Sequence, residues 1–231
     1  MDALHEGLRL LGLESAGLAE KMDAYIRTVQ TCNAKYNLVN ADSYDDIAIR
    51  HVLDSLSGVV EIKRLIERRI ADGVPQSALV LADIGSGAGL PGIPLAAAFP
   101  AFRFVLVERM TKRADFLRHC AETLALQNVR VEENQAERLA QGQFDIAAFR
   151  AFRPLEKKML KVLLRIIKEG GYLAAYKARR EKIAAEMSAL PAVPAYEVMP
   201  LTVPFLTQRT EDERERNLVV ISRQRQAVSE S

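Results

Sequence analysis

The 231-residue chain contains no tryptophan, only two cysteines and three histidines, and no large surplus of either charge. Cys32 and Cys120 stand far apart without a CxxC pattern, and His5, His51 and His119 form no short-range cluster, so neither a disulfide framework nor a metal site is expected. Lys and Arg number 32 and Asp and Glu 30, a formal charge of +2. That balance excludes a polybasic coat for nucleic acid and confines any such contact to a patch. Nor is there an uninterrupted apolar run of about 18 residues, the length a membrane span needs. The stretch MDALHEGLRLLGLE is acidic and amphipathic, unlike the basic stub and apolar core of an export signal. A reduced, cytoplasmic protein with no membrane partner is expected. What is present is 49% apolar residues, enough at this length for one main domain with its own core.

Apolar residues recur at helical spacing from Leu4 to about Val39, between breaks at Gly12 and Gly17, which predicts two amphipathic helices ending near Asn37 and Asn40. A third is predicted from Asp45 to about Ile70, closing in Lys63, Arg64, Arg68 and Arg69 before Gly73 and Pro75. The rhythm then changes. Short apolar runs around residues 78–82, 104–108, 129–132, 144–149 and 172–176 read as strands, with helical stretches at 93–99, 111–126 and 155–168 among them. Such alternation predicts an α/β fold with a mostly parallel sheet and helices on both faces. Strand-like segments at 197–203 and 217–223, joined by a charged loop at 208–216, predict an antiparallel hairpin at the sheet edge. The expected organisation is a helical extension of residues 1–74, a core of residues 75–224 and a loose tail, 225–231.

The most informative segment is Leu81-Ala-Asp-Ile-Gly-Ser-Gly-Ala-Gly-Leu-Pro-Gly92, a strand running into a glycine loop. A dinucleotide fingerprint needs glycine where Leu90 stands, and a P-loop needs lysine where Ile93 follows Gly92. A nucleophile elbow needs glycine two residues before Ser86, where Ile84 stands. What remains is D-x-G-x-G-x-G, with Asp83, Gly85, Gly87 and Gly89, and it resembles motif I of the class I S-adenosylmethionine-dependent methyltransferases, which are Rossmann-like. Glu108 follows 23 residues after Gly85, the spacing of one βαβ step, and its two acceptor oxygens suit a ribose diol. The plainer alternative is a tight strand-to-helix turn with Glu108 capping the next helix. Neither cysteine has the context of a cytosine C5 nucleophile. Phe149-Arg-Ala-Phe-Arg-Pro154 also lacks the polar Pro-Pro-aromatic loop of exocyclic amine methylation. A ring nitrogen that already carries a lone pair, such as guanine N7, needs positioning rather than a base.

Beyond the glycine loop through Gly-Leu-Pro-Gly-Ile-Pro-Leu95, the chain carries Tyr36-Asn-Leu-Val39, Arg50-His-Val-Leu-Asp-Ser-Leu56, Lys112-Arg-Ala-Asp-Phe-Leu117, Phe144-Asp-Ile, Arg150-Ala and Ala175-Tyr-Lys177. In these motifs and their order it resembles the ribosomal RNA small subunit methyltransferase G family, also called glucose-inhibited division protein B. The sequence departs from the commonest pattern at Phe149 and Tyr176. The resemblance implies methyl transfer from S-adenosylmethionine to N7 of one guanosine in 16S rRNA, within the small ribosomal subunit or an assembly intermediate. It implies cofactor contacts at Gly85, Leu90, Glu108, Arg109, Met110, Ala136, Glu137 and Arg150. Arg150, Lys177 and His51 are the positioning candidates. Rival expectations are a methyltransferase for another RNA or a small molecule, and a non-catalytic RNA-binding protein on the same fold. A monomer is expected.

Arg50 and Asp54 stand at i, i+4, the spacing of a surface ion pair on a helix. Asn37, Arg50 and His51 are candidates to touch RNA, with the His51 block also packing the N-terminal helices over the site. Residues 153–182 carry Arg153, Lys157, Lys158, Lys161, Arg165, Lys168, Lys177, Arg179, Arg180 and Lys182 against three acids, a candidate phosphate track, the alternative at Lys157, Lys158, Lys161 and Arg165 being a solvated helix face. Arg150, Lys177 and Arg179 fall just beyond strand ends, where open α/β sheets bind ligands. Phe152 is a candidate to stack on a splayed base, the alternative being that it packs beneath the loop.

Overall fold

The computed structural model describes residues 2–41, 43–150, 155–192, 194–207 and 214–224. Phe152, Arg153, most of the charged loop and the expected tail lie outside these residues. Asp2 and Ser15 start α1 (Ala3–Leu10) and α2 (Ala16–Tyr36) by accepting from the Leu4 and Leu18 backbone N–H groups. Asn37 ends α2 in the left-handed region, and Asn33 fixes the following turn by accepting from the Leu38 and Val39 N–H groups.

The third helix is not continuous as the sequence predicts. Ser43 caps α3 (Tyr44–Ile47), the backbone widens into a π-helical segment Ala48–Leu53, and α4 (Asp54–Leu56) follows. Ser57 and Gly58 then turn the chain into α5 (Val59–Ala71). At the break, the Tyr176 phenol occupies the space that a Cβ at Gly58 would need. Apolar periodicity runs through the break, so sequence pattern conceals it.

The seven strands are β1 (Val80–Ile84), β2 (Arg103–Glu108), β3 (Val129–Glu133), β4 (Phe144–Arg150), β5 (Ile167–Lys177), β6 (Tyr196–Pro200) and β7 (Asn217–Ser222). They form one sheet in the order β3-β2-β1-β4-β5-β7-β6. Strands β1 to β5 are parallel, and β7 inserts antiparallel between β5 and the edge strand β6. The expected antiparallel hairpin is therefore present. The helices α6 (Gly92–Ala98), α7 (Thr111–Thr123) and α8 (Lys157–Ile166) connect the parallel strands as expected, while α9 (Arg180–Ser188) was not legible in the pattern.

Strand side chains alternate between the two faces of the sheet. Leu81, Phe104, Leu106, Ile146 and Ala174 join one core with apolar residues of α1 through α7, so the N-terminal helices share this core with the sheet. Ala82, Val105, Phe149 and Leu173 meet α8 and α9 on the opposite face. At the start of the strands, Asp145 is fully buried and accepts from Arg69 Nη2 (3.0 Å), Lys168 Nζ (2.7 Å) and the Val80 N–H (2.9 Å). This network fastens α5 to the sheet. No helix among the described residues is long and apolar enough to cross a membrane.

Candidate active site

The glycine loop leaves β1 and folds over the end of β2. The Gly85 and Ser86 N–H groups both donate to the Val107 carbonyl, and the Gly87 N–H donates to Glu108 Oε2 at 2.9 Å. Glu108 Oε1 accepts from the Met110 N–H, also at 2.9 Å. The buried Glu108 carboxylate is thus held rigid, while each oxygen keeps a lone pair for a ligand. Gly87 has φ +56°, and a Cβ built there would meet nothing nearer than the Gly85 oxygen at 3.8 Å. That side of the loop is open to a close approach.

Beside it lies a cleft of about 520 Å³, and Gly85, Glu108, Arg109, Met110, Ala136 and Glu137 line it. Six of the expected cofactor residues are therefore brought together. Asp83, Gly89 and Leu90 are buried under the loop, where they shape it rather than face the cleft. Asp83 Oδ2 accepts from the Gly92 N–H at 3.0 Å, its Oδ1 has no partner among the described residues, and burial pushes this carboxyl up to about 7. Arg113, Asn134 and Met159 also line the cleft without having been singled out in the sequence. Arg113 sits in the Lys112-Arg-Ala block, so that block was the available signal. The Ala136–Arg138 turn is held by Arg165, which donates to the Leu139 carbonyl at 2.6 Å and the Glu137 carbonyl at 3.0 Å.

At the tip of β4, Arg150 reaches back to the N-terminal helices. Its Nη1 donates to Asp54 Oδ2 (2.7 Å) and to the Arg50 carbonyl (3.3 Å), and its Nη2 donates to His51 Nδ1 (3.0 Å). Asp54 also lies 3.2 Å from Arg216 Nε. The plainer alternative for this block, a surface ion pair of Arg50 with Asp54, is not what the fold forms: the π-helical winding breaks the α-helical i, i+4 stacking, Asp54 turns inward to Arg150, and the Arg50 side chain stays exposed. Because His51 Nδ1 accepts from a guanidinium, the ring is neutral with its proton on Nε2, which has no partner among the described residues. Burial first, and Arg150 second, lower its ionisation to about 4.

The basic track is thinner than the sequence suggests. Arg165 holds the turn just described, Lys168 serves Asp145, and Lys177 pairs with Glu186 Oε1 at 2.8 Å with both side chains largely covered. Lys157, Lys158 and Lys161 are exposed, and Arg179 is half-buried ahead of α9. Among the described residues no hydrogen bond joins the exposed Asn37 to the Arg150 cluster.

The fold is shared with a predicted O-methyltransferase from Agrobacterium tumefaciens, at TM-score 0.53 and 18% identity over 74% of this chain and 79% of that one. Relatives named ribosomal RNA small subunit methyltransferase G are much nearer in sequence. The protein of that name from Treponema denticola is 34% identical over 96% of both chains. That from Stenotrophomonas maltophilia strain K279a is 36% identical over 95% of this chain and 93% of its own. The family model for rRNA small subunit methyltransferase G matches residues 18–219. With motif loop, acid and arginine-bearing strand tip in one fold, the chain belongs to the rRNA small subunit methyltransferase G family.

Proposed function

We propose that this chain transfers the methyl group of S-adenosylmethionine to N7 of one guanosine in 16S rRNA, acting as a monomer in the cytoplasm on the small ribosomal subunit or an assembly intermediate. The observation that carries the reading is the cleft in which uncovered glycine backbone meets a rigidly held acidic residue at the next strand tip. Bound there, S-adenosylmethionine supplies an electrophilic methyl group on a sulfonium centre. Gly85 and Gly87 carry no side chain to block close approach to the loop, and the Glu108 oxygens face the cleft as acceptors for ribose hydroxyls. Ile84, Met110 and Met159 give it apolar wall for a base. Asp83 draws the loop closed through Gly92, and residues 1–74 serve as a helical extension that fixes Arg150 from behind.

Among the described residues no group beside the cleft is arranged as a nucleophile or a general base. The His51 ring keeps Nδ1 engaged and is neutral, and burial raises the Cys120 thiol well above its ordinary value. Guanine N7 needs neither, since its lone pair attacks in line once it is positioned. The exposed Lys157, Lys158 and Lys161, with Arg50 and Arg179, supply the cationic patch for rRNA phosphates.

Labelled S-adenosylmethionine and small subunits from cells lacking this protein test the reading, with the product mapped by cleavage specific for N7-methylguanosine. One new cleavage in 16S rRNA is expected. Gly87→Val should abolish both that signal and cofactor binding in titration calorimetry, because the side chain enters the open side of the loop and is strained at φ +56°, with thermal melting as the control for folding. Unchanged cofactor affinity in this variant would overturn the loop assignment.

A further inference from the structure

Two buried phenols stand where the N-terminal helices meet the site, and neither lines the cleft. Tyr25, on α2, donates to the carbonyl of Ala88 at 2.7 Å, in the middle of the glycine loop between Gly87 and Gly89. Tyr176, near the end of β5, donates to the carbonyl of Ser55 at 2.8 Å. Because α4 stops at Leu56, the carbonyls of its last turn lack helical donors, and the Tyr176 hydroxyl caps one of them. Gly58 gives the phenol its room.

Strand register makes this second contact part of the site. Tyr176 on β5 stands opposite Arg150 on β4. Two neighbouring strand tips therefore grip the same irregular helix, Arg150 through the Arg50 carbonyl, His51 and Asp54, and Tyr176 through Ser55. We infer that Tyr25 and Tyr176 are positioning residues for the methyl transfer, Tyr25 fixing the cofactor loop and Tyr176 fixing the helix that orients Arg150 on the substrate side. The inference rests on the methyltransferase reading. Its physical basis is that each hydroxyl satisfies a carbonyl inside the fold. Removing the hydroxyl leaves that carbonyl without its donor and frees the backbone to shift, and a site tolerates only about 0.5 Å of such displacement.

Tyr25→Phe and Tyr176→Phe in the full chain provide the test. It uses calorimetric S-adenosylmethionine affinity, KM and kcat on small subunits, and thermal melting as the control for folding. Tyr25→Phe should weaken cofactor affinity about tenfold and leave KM for small subunits unchanged. Tyr176→Phe should keep cofactor affinity and lower kcat/KM for small subunits about tenfold. Gly58→Ala, which displaces the same phenol, should reproduce the Tyr176→Phe pattern and stands in for it if that variant does not fold. A drop in melting temperature with neither constant moved, or both constants moving together in both variants, would overturn the inference. A parent chain that binds no cofactor or methylates no rRNA would instead sink the functional reading itself.

Discussion

Both ends of the parallel strands bury an arginine against an aspartate, yet the two pairs are built differently. At the strand starts Asp145 has three donors on its two oxygens, and Arg69 Nε is the atom of that network without a partner among the described residues. At the strand tips the polar groups are left short among the described residues. There Asp54 Oδ1 lies near Arg216 without hydrogen-bond alignment, and His51 Nε2 and Asp83 Oδ1 have no partner among those residues. Satisfied polar networks rigidify a fold, whereas unsatisfied buried groups are tolerated where a ligand or a reaction makes use of them. Two pairs of the same kind thus differ: the one at the strand starts has donors on both carboxylate oxygens, and the one beside the candidate site is left short among the described residues.

Breaking the lower pair should have the largest effect on stability. Asp145→Ala strands Arg69, which is 4% exposed, inside the core, and is expected to cost about 3–5 kcal/mol in urea unfolding, with cofactor affinity of the folded fraction unchanged. A cost below about 1 kcal/mol would erase the contrast. Asp54→Asn is the matching change at the tips. Arg150 is 15% exposed and can recover water, so the expected loss is only about 1–3 kcal/mol. Methyl transfer to small subunits should nonetheless fall at least about tenfold, since Arg150 loses the anchor that sets its direction. Full turnover in that variant would show that the tip network is mere packing.

The contrast also explains what was legible in the sequence. The parallel strands and the glycine loop were, because continuous apolar runs bounded by glycine report a buried strand and its turn directly, and one βαβ step fixes the distance to Glu108. Partners remote in sequence were not. Arg165, Lys168 and Lys177 look like free cations until the fold brings the Leu139 and Glu137 carbonyls, Asp145 and Glu186 to them. Tyr25 occupies an apolar position of an amphipathic helix, and its hydroxyl finds an acceptor 63 residues away. The alternative of Asp54 as a surface partner of Arg50 fails because the i, i+4 rule presumes α-helical winding, which the π-helical segment interrupts.

The smallest effect, and the sharpest probe of the tips, is on the pH dependence of stability. His51 titrates near 4 in the folded chain against an ordinary 6.5, so the stability it contributes is complete above 6.5 and is lost as pH falls through 6.5 toward 4. Asp83 is shifted the other way, from 3.8 to about 7, so its contribution is complete below 3.8 and is lost as pH rises toward 7. Between about 4 and 6.5 the folded chain holds one proton fewer than the unfolded chain at His51 and one more at Asp83, and the two slopes cancel. His51→Gln removes one side of that balance. Relative to the parent, its unfolding free energy should decline between pH 4.5 and 6.5, by at most about 1.4 kcal/mol per pH unit. Asp83→Asn should show the opposite tilt over the same range. Parallel curves for parent and both variants in urea unfolding across pH 4.5–7.5 would mean that neither group is perturbed, and the strand tips would then be as settled electrostatically as the Asp145 end.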